Sequence, residues 1–152
     1  MTVNNQCFSR NVFLADDDED DCLFFSQALN EVCQEAVLTA SHNGQELMRL
    51  LNRPPEPLPD VIFLDLNMPV KNGYECLKEI RSDKSLKNFP VIIFTTSSLQ
   101  EDIDRVYNLG ATFFISKPSN YTELKNVIRK AMSINWTEED IHPKKEKFVL
   151  SA

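Results

Sequence analysis

Five polar side chains close apolar runs in this chain. Asp65 ends Val61–Leu64, Asp16 and Asp17 follow Asn11–Ala15, Thr95 follows Pro90–Phe94, and Lys117 comes just after Ala111–Ile115 and ahead of Pro118. Val61–Leu64 shows no polar alternation, the pattern of a strand covered on both faces. The carboxylate that follows it stands at the border of a core, where an ionised group is costly unless paired. If the ends of these runs converge, three carboxylates share one place. Two carboxylates ~4 Å apart repel by about 4 kcal/mol at an effective dielectric of about 20, so three demand a cation. An all-oxygen set with open positions suits Mg2+, which keeps waters and takes one or two carboxylates together with phosphate oxygens. Adding a hydroxyl (Thr95) and an ammonium (Lys117) gives what phosphorylation of a carboxylate needs. Asp65 is then the nucleophile, Mg2+ and Lys117 offset charge on the phosphoryl oxygens, and Thr95 hydrogen-bonds one of them.

The elements that must position these groups follow from pattern. Strands are predicted over Asn11–Ala15, Ala36–Ala40, Val61–Leu64, Pro90–Phe94 and Ala111–Ile115, each followed by an amphipathic helix. The first helix has an apolar stripe of Phe24, Phe25, Ala28, Leu29 and Val32, with Leu23 off it. The second buries Leu47, Leu50 and Leu51, and the third Leu77 and Ile80. The fourth turns Ile103, Val106 and Tyr107 inward and ends at Gly110 as a left-handed cap, and the fifth buries Leu124, Val127, Ile128 and Ala131 or Met132. Four helix starts carry Asn or Ser with Glu three residues on: Asn43/Glu46, Asn72/Glu75, Ser98/Glu101 and Asn120/Glu123. This is the capping-box spacing, in which two orphan amides are satisfied reciprocally. Asn52–Pro59, with four prolines, is a loop. Five strand–helix repeats predict an α/β fold, a parallel sheet with five helices on both faces and right-handed crossovers. In such sheets ligands gather outside the carboxyl ends of the strands, where strand order reverses.

A length of 152 residues is about one domain. The net charge of −7 argues against a sequence-independent grip on nucleic acid. No apolar run reaches the length of a membrane span and the N-terminus lacks a signal-peptide pattern, so the expected location is cytoplasmic, with no membrane partner. Cys7, Cys22, Cys33 and Cys76 are scattered without C-x-x-C, and with only His42 and His142 beside them a zinc site is not expected. The cysteines read as buried or idle thiols in a reducing compartment.

Four motifs give the chain a family resemblance. They are the acidic pair in LADDD, the stretch LDLNMPVKNG, the hydroxyl in IIFTTSS and the lysine–proline in ISKPSN. Together, and in this order, they resemble the receiver domain of response regulators, the chemotaxis-regulator-like family, over about Arg10–Ser133. Residues 1–9 then form an N-terminal tail, 10–133 the receiver domain and 134–152 a C-terminal extension. The resemblance implies a flavodoxin-like sheet in the order 2-1-3-4-5. It implies that Asp65 is the phosphoacceptor of a two-component phosphorelay and that Asp17, Asp65 and the Asn67 carbonyl bind Mg2+, with Asp16 acting through water. It further implies that Lys117 pairs with the phosphoryl group, that the bond to Pro118 is cis, and that Thr95 and Phe114 form a switch altering the face of helix 4, strand 5 and helix 5. The donor would be a sensor histidine kinase or a phosphotransfer protein, and the output a downstream protein contact, since no effector domain follows helix five. A homodimer would use the helix 4–strand 5–helix 5 face or the C-terminal extension. The long second loop and KPSNYTELK further resemble single-domain receivers, such as cyanobacterial response regulators, that serve phytochrome-type kinases.

Some positions depart from the family's commonest pattern. Thr96 stands where Ala or Gly is usual, narrowing access to Asp65; Ser119 replaces a frequent Phe; and the loop Asn52–Pro59 is long. Asp18, Glu19, Asp20 and Asp21 read as acidic residues favoured by a helix N-terminus. Leu23 is either a stray surface residue or a kinase contact. Trp136 and Phe148–Leu150 either pack back on the domain or form a partner-binding tail. Two other functions compete. A Mg2+-dependent aspartyl-nucleophile phosphohydrolase needs a second acid two residues after the nucleophile, where this chain has Asn67. A phosphorylation-independent interaction scaffold has no use for a complete acidic pocket. Phosphate-binding glycine motifs for nucleotides are absent.

Overall fold

The apolar runs become strands within two residues of their predicted limits, the fifth starting two residues late. In the computed structural model, which describes residues 7–52, 58–136 and 141–152, they are β1 (Asn11–Ala15), β2 (Val37–Ser41), β3 (Val61–Leu64), β4 (Val91–Thr95) and β5 (Phe113–Ser116). They pair in parallel in the order β2-β1-β3-β4-β5. The helices between and after them are α1 (Glu19–Val32), α2 (Gly44–Asn52), α3 (Gly73–Ser82), α4 (Gln100–Asn108) and α5 (Tyr121–Met132). Residues 53–57 of the proline-rich loop, the stretch 137–140 and the first six residues of the tail lie outside the described residues.

Alternation along the strands divides the core into two layers. Val12, Leu14, Val61, Phe63, Ile92, Phe94, Phe113 and Ile115 face α1 and α5. Phe13, Ala15, Ile62, Leu64, Val91, Ile93 and Phe114 face α2, α3 and α4. On the first layer Phe25 meets Phe63 and Phe94 edge-on, with centroids 4.9 and 5.4 Å away, the favoured arrangement for aromatic quadrupoles. The half-buried Arg81 ties α3 to the strand loops: its guanidinium donates to the carbonyls of Gly110 (2.7 Å) and Phe89 (2.7 Å) and to Thr112 Oγ1.

Several expectations need correction. Phe24 is half exposed, and Cys22 takes its place on the buried stripe of α1. The stripe runs Cys22, Phe25, Ala28/Leu29, Val32, a cleaner 3–4 spacing than one that includes Phe24. In α2 Met48 is buried and Leu50 only partly so. The Asn72/Glu75 capping box forms in full, and Asn43 and Asn120 accept from the backbone amides of Glu46 and Glu123. The Ser98/Glu101 box does not form. The N-cap of α4 is Leu99, without a side-chain cap. Ser97 accepts from the Leu99 N–H and donates to Asp102 Oδ2 at 2.6 Å, while the Tyr74 hydroxyl donates to Asp102 Oδ1 at 2.9 Å. The start of α4 is therefore set by a link to α3 through Asp102.

The cysteines are not all idle thiols. Cys7 and Cys33 form a disulfide that fixes the N-terminal segment to the end of α1, with Cα atoms 6.2 Å apart. Cys22 and Cys76 are free and buried, and burial pushes their thiols up to about 11 and about 12. The segment before β1 is packed as well: the Phe8 N–H donates to the Met132 carbonyl, and buried Ser9 accepts from Trp136 Nε1.

Candidate functional site

The hydrogen-bond ladder of the sheet continues one step past the strand ends. The Asp16 N–H donates to the Ser41 carbonyl (3.0 Å), Asp65 N–H to Ala15 (3.0 Å), and Lys117 N–H to Thr95 (2.7 Å). These bonds hold Asp16, Asp65 and Lys117 at the carboxyl edge of the sheet. The chain then turns back sharply behind Asp65. The Gly73 N–H donates to the Leu66 carbonyl, and a Cβ at position 73 would sit 2.3 Å from the Asp65 carbonyl oxygen. Only glycine lets α3 start this close to the Asp65 backbone. The same turn holds Val70 at φ 67°, the left-handed region that β-branched residues avoid.

At this edge Asp16, Asp17 and Asp65 each offer an oxygen within 4.8 Å of the others. Asp16 is fully buried, Asp65 is 5% exposed and Asp17 is open to solvent. Lys117 Nζ reaches Asp16 Oδ2 at 2.8 Å, Asp65 Oδ2 at 3.3 Å and Asp21 Oδ2 at 2.8 Å. The contact with Asp16 Oδ2 is an ion pair without good hydrogen-bond alignment, so that oxygen has no hydrogen-bond partner among the described residues. Burial raises the Asp16 carboxyl to about 6, against the lowering effect of Lys117 and the Asp18 amide, and the Asp65 charge adds to the rise. Burial alone would lower the Lys117 ammonium. The close contacts with the carboxylates of Asp16 and Asp21 and the charge of Asp65 outweigh it and hold the ammonium above its ordinary value. Acid oxygens alone, crowded and partly unpartnered, form a donor set that fits a hard divalent cation. Asp16, Asp17 and Asp65 would hold it.

Thr95 completes the set from β4. It is fully buried, and its Oγ1 has no hydrogen-bond partner among the described residues. A buried hydroxyl without a partner is costly unless an acceptor arrives there. Phe114 lies two residues earlier on the same sheet face: it pairs with Ile93, two residues before Thr95. Phe114 is fully buried, with the ring of Phe148 6.4 Å away. The Asn67 N–H lies 3.4 Å from Asp65 Oδ1, and the residue itself is exposed, as is Thr96. Pro118 lines a cavity of about 200 Å³ together with Lys117, Asp21, Phe94 and Phe24.

Asp21 is the residue that sequence reasoning missed as part of the site. It was grouped with its acidic neighbours as helix-dipole charge, yet it holds Lys117 directly. The available signal was spacing. Asp21 precedes buried Phe25 by four, which places it on the sheet-facing side of α1, while Asp18 is the N-cap that binds the amides of Asp20 and Asp21.

Residues 12–129 match the response regulator receiver domain. The chain belongs to that family. It is similar to the response regulator Rcp1 of Synechocystis sp., with 30% identity over 131 residues, 84% of this chain and 88% of Rcp1. Among solved structures, the phosphorylated cyanobacterial phytochrome response regulator RcpA superposes with a TM-score of 0.74 at 32% identity, covering 80% of this chain and 90% of that one. The Mn2+-bound form of Rcp1 superposes with a TM-score of 0.75 at 26% identity, covering 84% of this chain and 97% of that one. Receiver domains carry an acidic pocket for Mg2+ or Mn2+, and the cluster of Asp16, Asp17 and Asp65 has that character. Among the described residues no helix is long and apolar enough to cross a membrane.

Proposed function

We propose that this receiver domain is a phosphoacceptor switch whose reacting atom is a carboxylate oxygen of Asp65. The observation that carries the reading is the convergence on Asp65 of a buried ammonium at 3.3 Å and an unpartnered buried hydroxyl on the next strand. In the reaction the Asp65 oxygen attacks the phosphorus of a phosphohistidine. A P–O bond forms, the P–N bond breaks, and the leaving imidazole takes up a proton. Lys117 offsets charge on the phosphoryl oxygens, and Thr95 donates its hydroxyl to one of them. Asp16, Asp17, Asp65 and the Asn67 carbonyl would hold Mg2+, which when bound supplies further charge neutralisation at the phosphoryl group. With Asn67 in place of a second acid, no carboxylate stands there to activate water, so the group is stored, not turned over as by a phosphohydrolase.

The donor in this reading is a sensor histidine kinase of phytochrome type, or a phosphotransfer protein, in the cytoplasm. Exposed Leu23 and Phe24 give it an apolar step beside the cavity next to Lys117. The output is a protein contact on the α4–β5–α5 face, controlled by Thr95 and Phe114, and a second copy of the chain would use that face or the extension 134–152. Domain limits of 10–133 for the receiver and 1–9 for the tail accompany this assignment.

Incubation with acetyl phosphate and Mg2+ tests it. Intact mass is expected to show one added phosphoryl group on the wild type and none on Asp65→Asn. Equal uptake by both would overturn the assignment.

A further inference from the structure

After α5 the chain returns to the sheet it has left. The Phe114 N–H donates to the Phe148 carbonyl at 3.0 Å, and the Leu150 N–H donates to the Phe114 carbonyl at 2.9 Å. Phe114 and Val149 thus form a parallel bridge on the outer edge of β5. Phe148 is fully buried, 5.0 Å from the Tyr107 ring and 6.4 Å from Phe114. The segment also touches each element around it. The Tyr107 hydroxyl of α4 donates to the Pro143 carbonyl, Lys145 pairs with Asp104 of α4 at 2.9 Å, and Lys130 of α5 donates to the Ser151 carbonyl. These contacts lie on the α4–β5–α5 face.

We propose that residues 143–151 form an intramolecular strap, bridged to β5 at Val149, that masks the β5 edge and is released when Asp65 is phosphorylated. The proposal rests on the phosphoacceptor reading. Its coupling follows from the sheet. Thr95, Ile93 and Phe114 lie on the same face, and Phe148 extends that row outward. A phosphoryl oxygen gives the unpartnered Thr95 hydroxyl a reason to move toward Asp65, and the space it leaves lies beside Ile93 on the inner side of Phe114. Phe114 turning into that space removes part of the surface on which Phe148 rests. The strap holds by few bonds. It has one bridge, one buried ring, the Lys145–Asp104 ion pair and the hydrogen bonds to the Pro143 and Ser151 carbonyls among exposed or half-exposed groups, so loss of part of the ring's seat is felt at once. Release bares the backbone groups of β5 and the Phe148 pocket. An unpaired strand edge with an apolar pocket is the surface a partner strand would take.

Hydrogen exchange at the Phe114 and Leu150 amides tests this in the full chain. With Mg2+ and acetyl phosphate both are expected to exchange about tenfold faster, equivalent to about 1.4 kcal/mol. In Phe148→Ala the same amides are expected to be fast without phosphodonor, while amides of β1 and β3 stay protected and show that the fold is intact. The rates are expected to be independent of protein concentration, as for a strap held in cis. Phosphoryl uptake by mass with unchanged or slower exchange overturns the coupling. Slow amides in Phe148→Ala, or rates that depend on concentration, overturn the strap. If mass shows no phosphoryl uptake, the phosphoacceptor reading fails and the coupling fails with it, while the Phe148→Ala result still judges the strap.

Discussion

In the proposed switch Thr95 favours the phosphorylated state over the unphosphorylated one, and Thr95→Val separates the two. In the structure the Thr95 side chain is fully buried and its Oγ1 is unpaired among the described residues. A buried polar group without a partner costs about 1–3 kcal/mol. Valine has nearly the same shape and lacks that polar atom, so Thr95→Val is expected to stabilise the unphosphorylated protein by about 1–2 kcal/mol. For a chain of this size that raises Tm by about 3–6 °C. After phosphorylation the sign reverses. A hydrogen bond to a charged oxygen is worth about 1.5–3 kcal/mol, and valine cannot make it. Thermal unfolding in Mg2+, with and without acetyl phosphate and with occupancy checked by mass, reads both effects. The expected result is a higher midpoint for Thr95→Val without the donor and a smaller gain with it. Thr95→Ser is the control: it keeps the hydroxyl and the gain, and loses about 0.5–1.5 kcal/mol with its methyl group. A Thr95→Val protein that is less stable than the wild type without donor, or that gains as much from phosphorylation, would refute the reasoning.

Three further outcomes are expected. Val70→Asn replaces an exposed β-branched residue at φ 67° with one that tolerates that conformation; it should raise stability by about 1 kcal/mol, read as a higher urea midpoint with m unchanged, and a lower midpoint would contradict the strain. Because burial raises Asp16 to about 6, above its ordinary value of 3.8, the folded metal-free protein binds this proton more tightly than the unfolded chain does. The stability of the metal-free protein should therefore fall as pH rises from about 4 to about 6, and Mg2+ affinity, followed by calorimetric titration, should weaken as pH falls below about 6 by up to about tenfold per unit. Affinity that is flat across that range would remove Asp16 from the metal site. Reduction of Cys7–Cys33, which are 26 residues apart, should lower stability by about 3 kcal/mol in the loop-entropy account; a urea midpoint unchanged by reductant would show that the bond does not constrain the chain.

The order of elements and most of the pocket were legible because each rests on short-range pattern. Val61–Leu64 is apolar at every position because β3 is central, and Gly110 follows α4 at φ 97° because the helix needs a left-handed exit. Asp16, Asp65, Thr95 and Lys117 were found at strand ends, and a parallel sheet brings strand ends together whatever fills the loops. Where tertiary contacts outbid local ones, the reading failed. Ser98 has the capping spacing, but Asp102 is held from two sides by Ser97 and Tyr74, and the helix begins one residue later. Phe24 fits a loose apolar stripe, but the stripe that packs is the one that reaches the sheet through Cys22 and Phe25. The Cys7–Cys33 bond joins residues that no sequence spacing relates.

Asp21 and Phe148 show what the local reading could not contain. Both act on a residue distant in sequence: Asp21 on Lys117, 96 positions away, and Phe148 on Phe114 across α5. Each bears on one end of the proposed switch. Lys117 is held by Asp16, Asp21 and Asp65 together, so part of its charge is already engaged before a phosphoryl group arrives. Phe114 is already buried, under a ring supplied by the chain's own extension. In the proposed switch the unphosphorylated state is thus a set of mostly satisfied contacts and not merely the absence of phosphate. Thr95 carries the buried hydroxyl left unpaired among the described residues, and in that reading a phosphoryl oxygen at Asp65 has the chemistry to pair it.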